Sequence, residues 1–223
     1  MADASIRFGT PIAAPSAEQD RLRRAFDVAL ALMGLPVLAL IGALLLVLNA
    51  YFNNGPLLYR QRRVGRYGVP FWLYKFRSMR PVDGVRRYDA PLETDRITPL
   101  GALLRRAKID ELPQLINVLR GEMSIIGPRP DALEHAKVFA TCVPDYRLRH
   151  RVRPGITGLA QVELGYAEGI AATTRKVRAD LDYIKRKSLR LDATILVRTV
   201  WVVLRPQRGL GIDTGFEVPL QDA

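Results

Sequence analysis

A chain of 223 residues is long enough for one domain with a substantial core. Its formal net charge of +12 and pI near 10.3 call for an anionic partner: nucleic acid, an acidic membrane surface or a phosphorylated small molecule. Cys142 is the one cysteine, which excludes an intrachain disulfide and a cysteine-based metal cluster, and the thiol is expected as a small buried apolar group.

Residues 1–15 are small, polar and proline-containing, and read as a flexible terminus. AAPSA resembles a cleavage site but precedes the apolar run, so no signal peptide is read. Ser16 and Gln19 form a candidate capping box for a helix through Arg21, Arg23 and Arg24. From Val28 to Tyr59 there is no charged residue. That run exceeds the roughly 20 residues of a membrane-spanning helix, but Gly34 and Pro36 lie inside it. A proline there removes a backbone hydrogen bond and kinks or breaks the helix. Arg21, Arg23 and Arg24 precede the run; Arg60, Arg62, Arg63 and Arg66 follow it. Basic flanks prefer the cytoplasmic side, so a straight span would leave one cluster on the disfavoured side. Residues 16–54 are therefore expected to form a re-entrant membrane hairpin bent near Pro36. A plain span and a buried core helix are the alternatives.

Pro56–Arg60 and Phe71–Met79 read as strands around a turn with Gly65 and Gly68. Lys75 and Arg77 share one strand face, as solvated charges or as phosphate contacts. Residues 80–96 read as a loop. Thr98 and Pro99 look like the cap and first turn of a helix through Arg106. Ser124–Ile126 is a short apolar run, and Asp131 starts a helix through about Thr141. Arg147–Arg153 is the densest basic run, broken by Pro154-Gly155. His135 and His150 read as ordinary surface or helix residues. Leu159–Val162 is expected as a strand and Ile170–Lys187 as a helix with an Asp182–Arg186 pair. Leu191–Leu204, which includes Trp201, is a core helix or an interfacial one. The tail, residues 206–223, reads as loosely ordered.

The chemistry concentrates between Ala107 and Pro130. Leu112, Leu115, Ile116 and Leu119 fall on one face of a short helix, with Pro113 in its first turn and Gly121 at its end. Asp110 and Glu111 lie at its start, where anionic groups are favoured. Arg105, Arg106 and Lys108 stand before them and Arg129 after. The spacing fits a helix start with capping acids, or a metal-assisted phosphoryl site. In the second reading Asp110 is a carboxylate nucleophile, Mg2+ needs one or two such acids, and arginines clamp a diphosphate. There is no Walker loop, no GxGxxG after a strand and no HExxH, which disfavours a nucleotide kinase or dinucleotide enzyme.

Four segments in this order resemble the bacterial sugar transferases of the small monotopic phosphoglycosyl transferase family: YRQRRVGRYGVPFWLYKFRSM (59–79), DRITPLGALLRRAKIDELPQLINVLRGEMSIIGPRP (95–130), VRPGITGLAQV (152–162) and DLDYIKRKSLRLD (180–192). The resemblance implies an α+β, mostly helical monotopic protein. It would have an N-terminal re-entrant membrane helix, with Pro36 at the bend where the family commonly has Ser-Pro. A small cytoplasmic catalytic domain over residues 55–205, with short strands and interfacial amphipathic helices, would follow. It implies transfer of a sugar 1-phosphate from a UDP-sugar to polyprenol phosphate at the cytoplasmic face of the bacterial inner membrane, giving UMP. By the same resemblance Asp110 is the nucleophile, and Glu111 supports it and helps place Mg2+. Arg105, Arg129, Lys75, Arg77 and Arg153 are the substrate-binding positions. Anionic lipids are expected partners and nucleic acid is not; a homodimer is left open. The sugar is not carried over, because ELGYAEG after Val162 departs from the turn that many relatives have. The alternatives are a non-catalytic scaffold and a membrane-tethered nucleic-acid binder built on the Arg147–Arg153 run.

Overall fold

The computed structural model describes residues 17–52, 55–81, 87–88, 90, 93–164 and 169–204. The segment over 1–15, the Ser16 cap and the tail over 206–223 lie outside the described residues. Helix α1 runs Ala17–Phe52, β1 Leu58–Val64 and β2 Pro70–Phe76; α2 is Pro99–Arg106, α3 Gln114–Leu119 and β3 Ser124–Ile126. Helix α4 runs Leu133–Cys142 and β4 Gly155–Thr157, and α5 Leu159–Leu164, α6 Gly169–Arg186 and α7 Leu189–Leu204 complete the order. Among the described residues the content is mostly helical with four short strands.

Over the stretch expected to bend near Pro36, α1 is one helical element from Ala17 to Phe52 with Pro36 inside it. One stripe explains how it packs. Arg23, Asp27, Ala31, Gly34, Leu38, Ile41, Leu45 and Asn49 are buried or half-buried and recur every three to four residues, so one face rests on the body from end to end. The opposite face is apolar and exposed, including Met33, Leu40, Leu44, Leu46 and Val47. Pro36 belongs to that outward face. The helix is long and apolar enough to cross a membrane, yet both its ends touch the same body. Arg23 near one end binds Asp192 of α7, and Asn49 near the other donates to the Gly55 carbonyl and accepts from Arg77.

Strands β1 and β2 form an antiparallel hairpin from Leu58↔Phe76 to Val64↔Pro70. The glycine-marked turn is real: Gly68 has φ +79, and Tyr67 shares the left-handed region at φ +58. Strands β3 and β4 pair in parallel, Ser124 opposite Gly155 and Ile126 opposite Thr157. The main core gathers Phe71 and Leu73 of β2, Leu115 and Val118 of α3, Ile125 and Ile126 of β3, and Tyr183 and Ile195 of the last two helices. It lies directly beneath α1.

The helix starting at Thr98 is as expected: the Thr98 side chain accepts the Gly101 N–H at 3.0 Å and Pro99 opens the first turn. Leu159–Val162, expected as a strand, is part of α5. A four-residue apolar run carries no period of its own, and the Gly158 carbonyl, accepting from the Gln161 and Val162 N–H groups, closes a helical turn there. Cys142, expected to be buried, is exposed at the end of α4. His150, expected as an ordinary surface or helix residue, is buried in the 3-10 turn Tyr146–Arg151.

Candidate active site

Asp110 and Glu111 sit in a 3-10 turn, Ile109–Glu111, one short step ahead of α3 rather than inside it. Lys108 precedes them at φ +55, a left-handed residue that turns the chain sharply out of α2. Both acids are buried, 5% and 9% exposed, which a solvated pair of capping acids would not be. Behind them α3 is fixed twice. Asn117, fully buried, accepts the Tyr74 N–H and donates to the Trp72 carbonyl and to Glu122. Arg24 of α1 donates to the Val118 and Leu119 carbonyls at 2.6 and 3.0 Å, so a cation caps the negative end of α3.

The two acids have opposite surroundings. Glu111 pairs with Lys75 Nζ at 2.6 Å, and Arg129 reaches both of its carboxylate oxygens. Burial alone would raise the Glu111 pKa, but Arg129 and Lys75 outweigh it and hold the carboxyl well below its usual range. Asp110 Oδ1 is buried and accepts no hydrogen bond from the described residues. Burial pushes Asp110 up, with Lys75 opposing most strongly, then Arg105 and Arg129, while Glu111 adds to the rise. Lys75 is itself pushed down by burial, against the pull of Glu111. The result is one carboxylate neutralised by two cations beside one that is desolvated, with its Oδ1 unused among the described residues.

A desolvated carboxylate with an unused oxygen can serve as a nucleophile or as a metal ligand. Among the described residues no group of three or more His, Cys, Asp or Glu side chains is arranged to hold a metal ion. That donor set still fits Mg2+ bound by one or two carboxylates and substrate phosphates. Asp110 has the oxygen for it, whereas Glu111 turns both of its oxygens to Arg129.

A family model described as bacterial sugar transferase matches residues 18–206. The chain belongs to the bacterial sugar transferase family. Among its relatives, the UDP-glucose:undecaprenyl-phosphate glucose-1-phosphate transferase of Caulobacter vibrioides is 41% identical over 88% of this chain and 74% of its own length. The exopolysaccharide production protein PSS of Rhizobium leguminosarum is 41% identical over 80% of this chain and 93% of its own. The UDP-N-acetylgalactosamine-undecaprenyl-phosphate N-acetylgalactosaminephosphotransferase of Aeromonas hydrophila is 39% identical over 82% of this chain, which spans only 44% of that protein.

Of the positions singled out in this family member, Asp110, Glu111, Lys75 and Arg129 converge. Arg105 belongs with them electrostatically, acting on Asp110, and its Nη1 lies 3.5 Å from the Met79 sulfur. Arg77 does not join the group in its hydrogen bonds: it donates to the Pro56 carbonyl at 2.8 Å and to Asn49, tying the end of α1 to the hairpin. Arg153 donates to the Gly121 carbonyl at 3.1 Å, at the far end of α3 from the dyad.

The Pro-Arg-Pro element is anchored by residues the sequence did not mark. Arg149 donates to the Arg129 carbonyl and pairs with Asp131 and Asp180, and Arg63 donates to the Pro130 carbonyl. Lys176 and the Tyr146 hydroxyl complete the ring around Asp131. Arg149 is 2% exposed, so the run read as a basic surface for nucleic acid has its central arginine in the interior. A run of arginines does not reveal which one turns inward; the signal available was Asp131 following the prolines.

Proposed function

We propose that this protein transfers a sugar 1-phosphate from a UDP-sugar to polyprenol phosphate through a covalent intermediate on Asp110. The observation that carries the reading is the buried, unbonded Asp110 Oδ1 beside a Glu111 already neutralised by Arg129 and Lys75. A desolvated carboxylate with one oxygen free of donors is more basic and more nucleophilic than a solvated one.

In the first step Asp110 forms a bond to the β-phosphorus of the donor, the bond from that phosphorus to the bridging oxygen breaks, and UMP leaves. In the second, an oxygen of polyprenol phosphate attacks the same phosphorus and the Asp110 carboxylate is released. The product is polyprenyl diphosphate sugar. Arg105, Arg129 and Lys75 stand where negative charge collects on the transferred phosphoryl oxygens, and such preorganised charge is the main means of accelerating phosphoryl transfer. Glu111 keeps Arg129 and Lys75 in place. Bound Mg2+, held through Asp110 with Glu111 adjoining, would supply further charge neutralisation on the diphosphate.

Two of the relatives named above are undecaprenyl-phosphate transferases, one for glucose 1-phosphate and one for N-acetylgalactosamine phosphate, so the family leaves the sugar open. Membrane association follows from the long exposed apolar face of α1. A monotopic arrangement is favoured by the contact of both ends of α1 with one body, since a helix that crossed the bilayer would leave one end across it, and the basic residues flanking its apolar run favour the cytoplasmic face. The role fits initiation of an exopolysaccharide or other glycoconjugate. Release of UMP from a panel of UDP-sugars, dependent on polyprenol phosphate and abolished in Asp110→Asn, tests the assignment; full activity in that variant, with deamidation excluded, would overturn it.

A further inference from the structure

At the N-terminal foot of α1 lies a charged cleft that the transfer chemistry leaves unused. Its walls come from α1, the β1–β2 turn, β3 and the α6–α7 junction. Arg23 is its anchor. The residue is 7% exposed, and its Nε donates to Asp192 at 2.8 Å. Its Nη1 and Nη2 are buried and make no hydrogen bond among the described residues. Buried guanidinium donors without acceptors are costly, so these two favour an acceptor arriving from outside.

The carboxylates nearby do not meet that demand. Asp27 accepts from the Ser124 hydroxyl and the Ile125 N–H. Asp192 has Arg23 Nε on one oxygen and the Tyr183 hydroxyl on the other. Asp20 stands 3.4 Å from both Arg66 and Lys187, a loose contact with each. Arg24 and Arg153 also line the cleft. Five cations face three carboxylates, so two positive charges are in excess. Burial, then the nearness of Arg66 and Arg24, pushes the Arg153 guanidinium below its ordinary value.

We propose that this cleft binds the phosphate of a phosphate ester, as a second anion site at the opposite end of α3 from Asp110 and Glu111. Arg24 and Arg153 meet the carbonyls of Val118, Leu119 and Gly121, after α3, whereas the dyad precedes it. Guanidinium forks match phosphate oxygens in pairs, and Lys187 adds a point charge. The uncharged run of α1 begins at Val28, one turn beyond Arg24, so the cleft stands where the helix would enter the headgroup layer. A membrane lipid is one source of the phosphate, and a soluble phosphate ester or free phosphate offers the same oxygens. The inference does not rest on the transfer reaction.

The test uses full-length protein in a neutral detergent, with phosphorus NMR following dihexanoyl phosphatidylglycerol in one arm and inorganic phosphate in the other. Saturable binding in either arm is expected, weakened about tenfold in Arg23→Gln and in Lys187→Gln and unchanged in Asp110→Asn. Binding of the lipid alone assigns the site to a headgroup; binding of inorganic phosphate assigns it to a soluble source. Lys187→Gln carries the test if Arg23→Gln fails to fold, because among the described residues Lys187 holds only the loose Asp20 contact. No saturable binding in either arm, or equal affinity in wild type and the Lys187 variant, overturns the proposal.

Discussion

Arg129 reaches both carboxylate oxygens of Glu111, and this single pairing separates the roles of two adjacent acids. With Lys75 also on Glu111 at 2.6 Å, the partner acid is fixed as an anion, and Asp110 is left desolvated with an unused oxygen. A chain with two equally solvated acids would have no such division.

The division has a pH signature. As the proposed nucleophile Asp110 must be ionised, and Lys75 is the strongest influence holding its pKa down against burial. Lys75→Met therefore moves the acid limb of the pH–rate profile to higher pH. It also lowers kcat about a hundredfold at neutral pH, the loss typical of one charge-stabilising group. A variant with an unmoved acid limb would show that Asp110 is not the group titrating there.

Arg149 positions Arg129 from below. It holds the Arg129 carbonyl at 2.9 Å and is clamped by Asp131 and Asp180. Asp131→Asn leaves Arg149 and Lys176 short of a counter-charge in the interior, at a cost of about 3–5 kcal/mol. Burial alone would raise the folded-state pKa of Asp131, but Arg149 and Lys176 hold it far below the ordinary value. The stabilisation is thus complete above the unfolded carboxyl's pKa of about 3.9 and fades as pH falls toward the folded value. Denaturant titrations of wild type and variant should accordingly differ at pH 7 and draw together below about pH 4. A constant gap across that range would contradict the assignment.

His150 gives a second, separable pH effect. Burial, reinforced by Arg149, lowers its pKa from 6.5 to about 3. The unfolded imidazole takes up a proton where the folded one does not, so stability falls as pH drops from 6.5 toward 3. The loss is on the order of 5 kcal/mol when complete. His150→Phe should flatten this part of the stability curve; an unchanged slope between those pH values would rule the mechanism out.

Glycine sites separate close backbone contacts from open ones. A Cβ on Gly101 would fall on the Ser78 carbonyl, whereas one on Gly42 meets nothing nearer than 3.9 Å. Gly101→Ala must push α2 away from Ser78 and carry Arg105 with it, so a loss of about 2 kcal/mol or more is expected by thermal melting. Gly42→Ala should be neutral or stabilising, since alanine is the better helix former by about 1 kcal/mol. Equal melting temperatures for the two variants would contradict the close approach.

What could be read from the sequence was local. The Thr98-Pro99 helix start, the glycine-marked hairpin and the acid pair ahead of a short apolar helix all rest on residues within a few positions of one another. What could not be read depends on distant partners. Arg24 capping α3, Arg23 on Asp192 and Arg149 on Asp180 join residues across 94, 169 and 31 positions, and nothing in a run of arginines marks which of them is buried. His150 was misplaced for the same reason. The stripe along α1 was hidden because an almost wholly apolar segment has no polar face to set its period; Arg23, Asp27 and Asn49, the polar residues on it, face inward.

The contact of both α1 ends with one body makes a topological prediction. In a Cys142→Ser background, which removes the exposed native thiol, Glu18→Cys and Arg60→Cys should both react with an impermeant maleimide from the same side of inside-out vesicles. Reaction of one from each side would mean that α1 crosses the bilayer.

The covalent step is tested most directly by intact-protein and peptide mass spectrometry after mixing purified protein with a UDP-sugar and Mg2+, with no lipid acceptor present. The account predicts one equivalent of UMP and a sugar-phosphate adduct on the peptide containing Asp110, discharged on adding polyprenol phosphate. UMP formed only once the lipid is added, with Asp110 unmodified throughout, would contradict it.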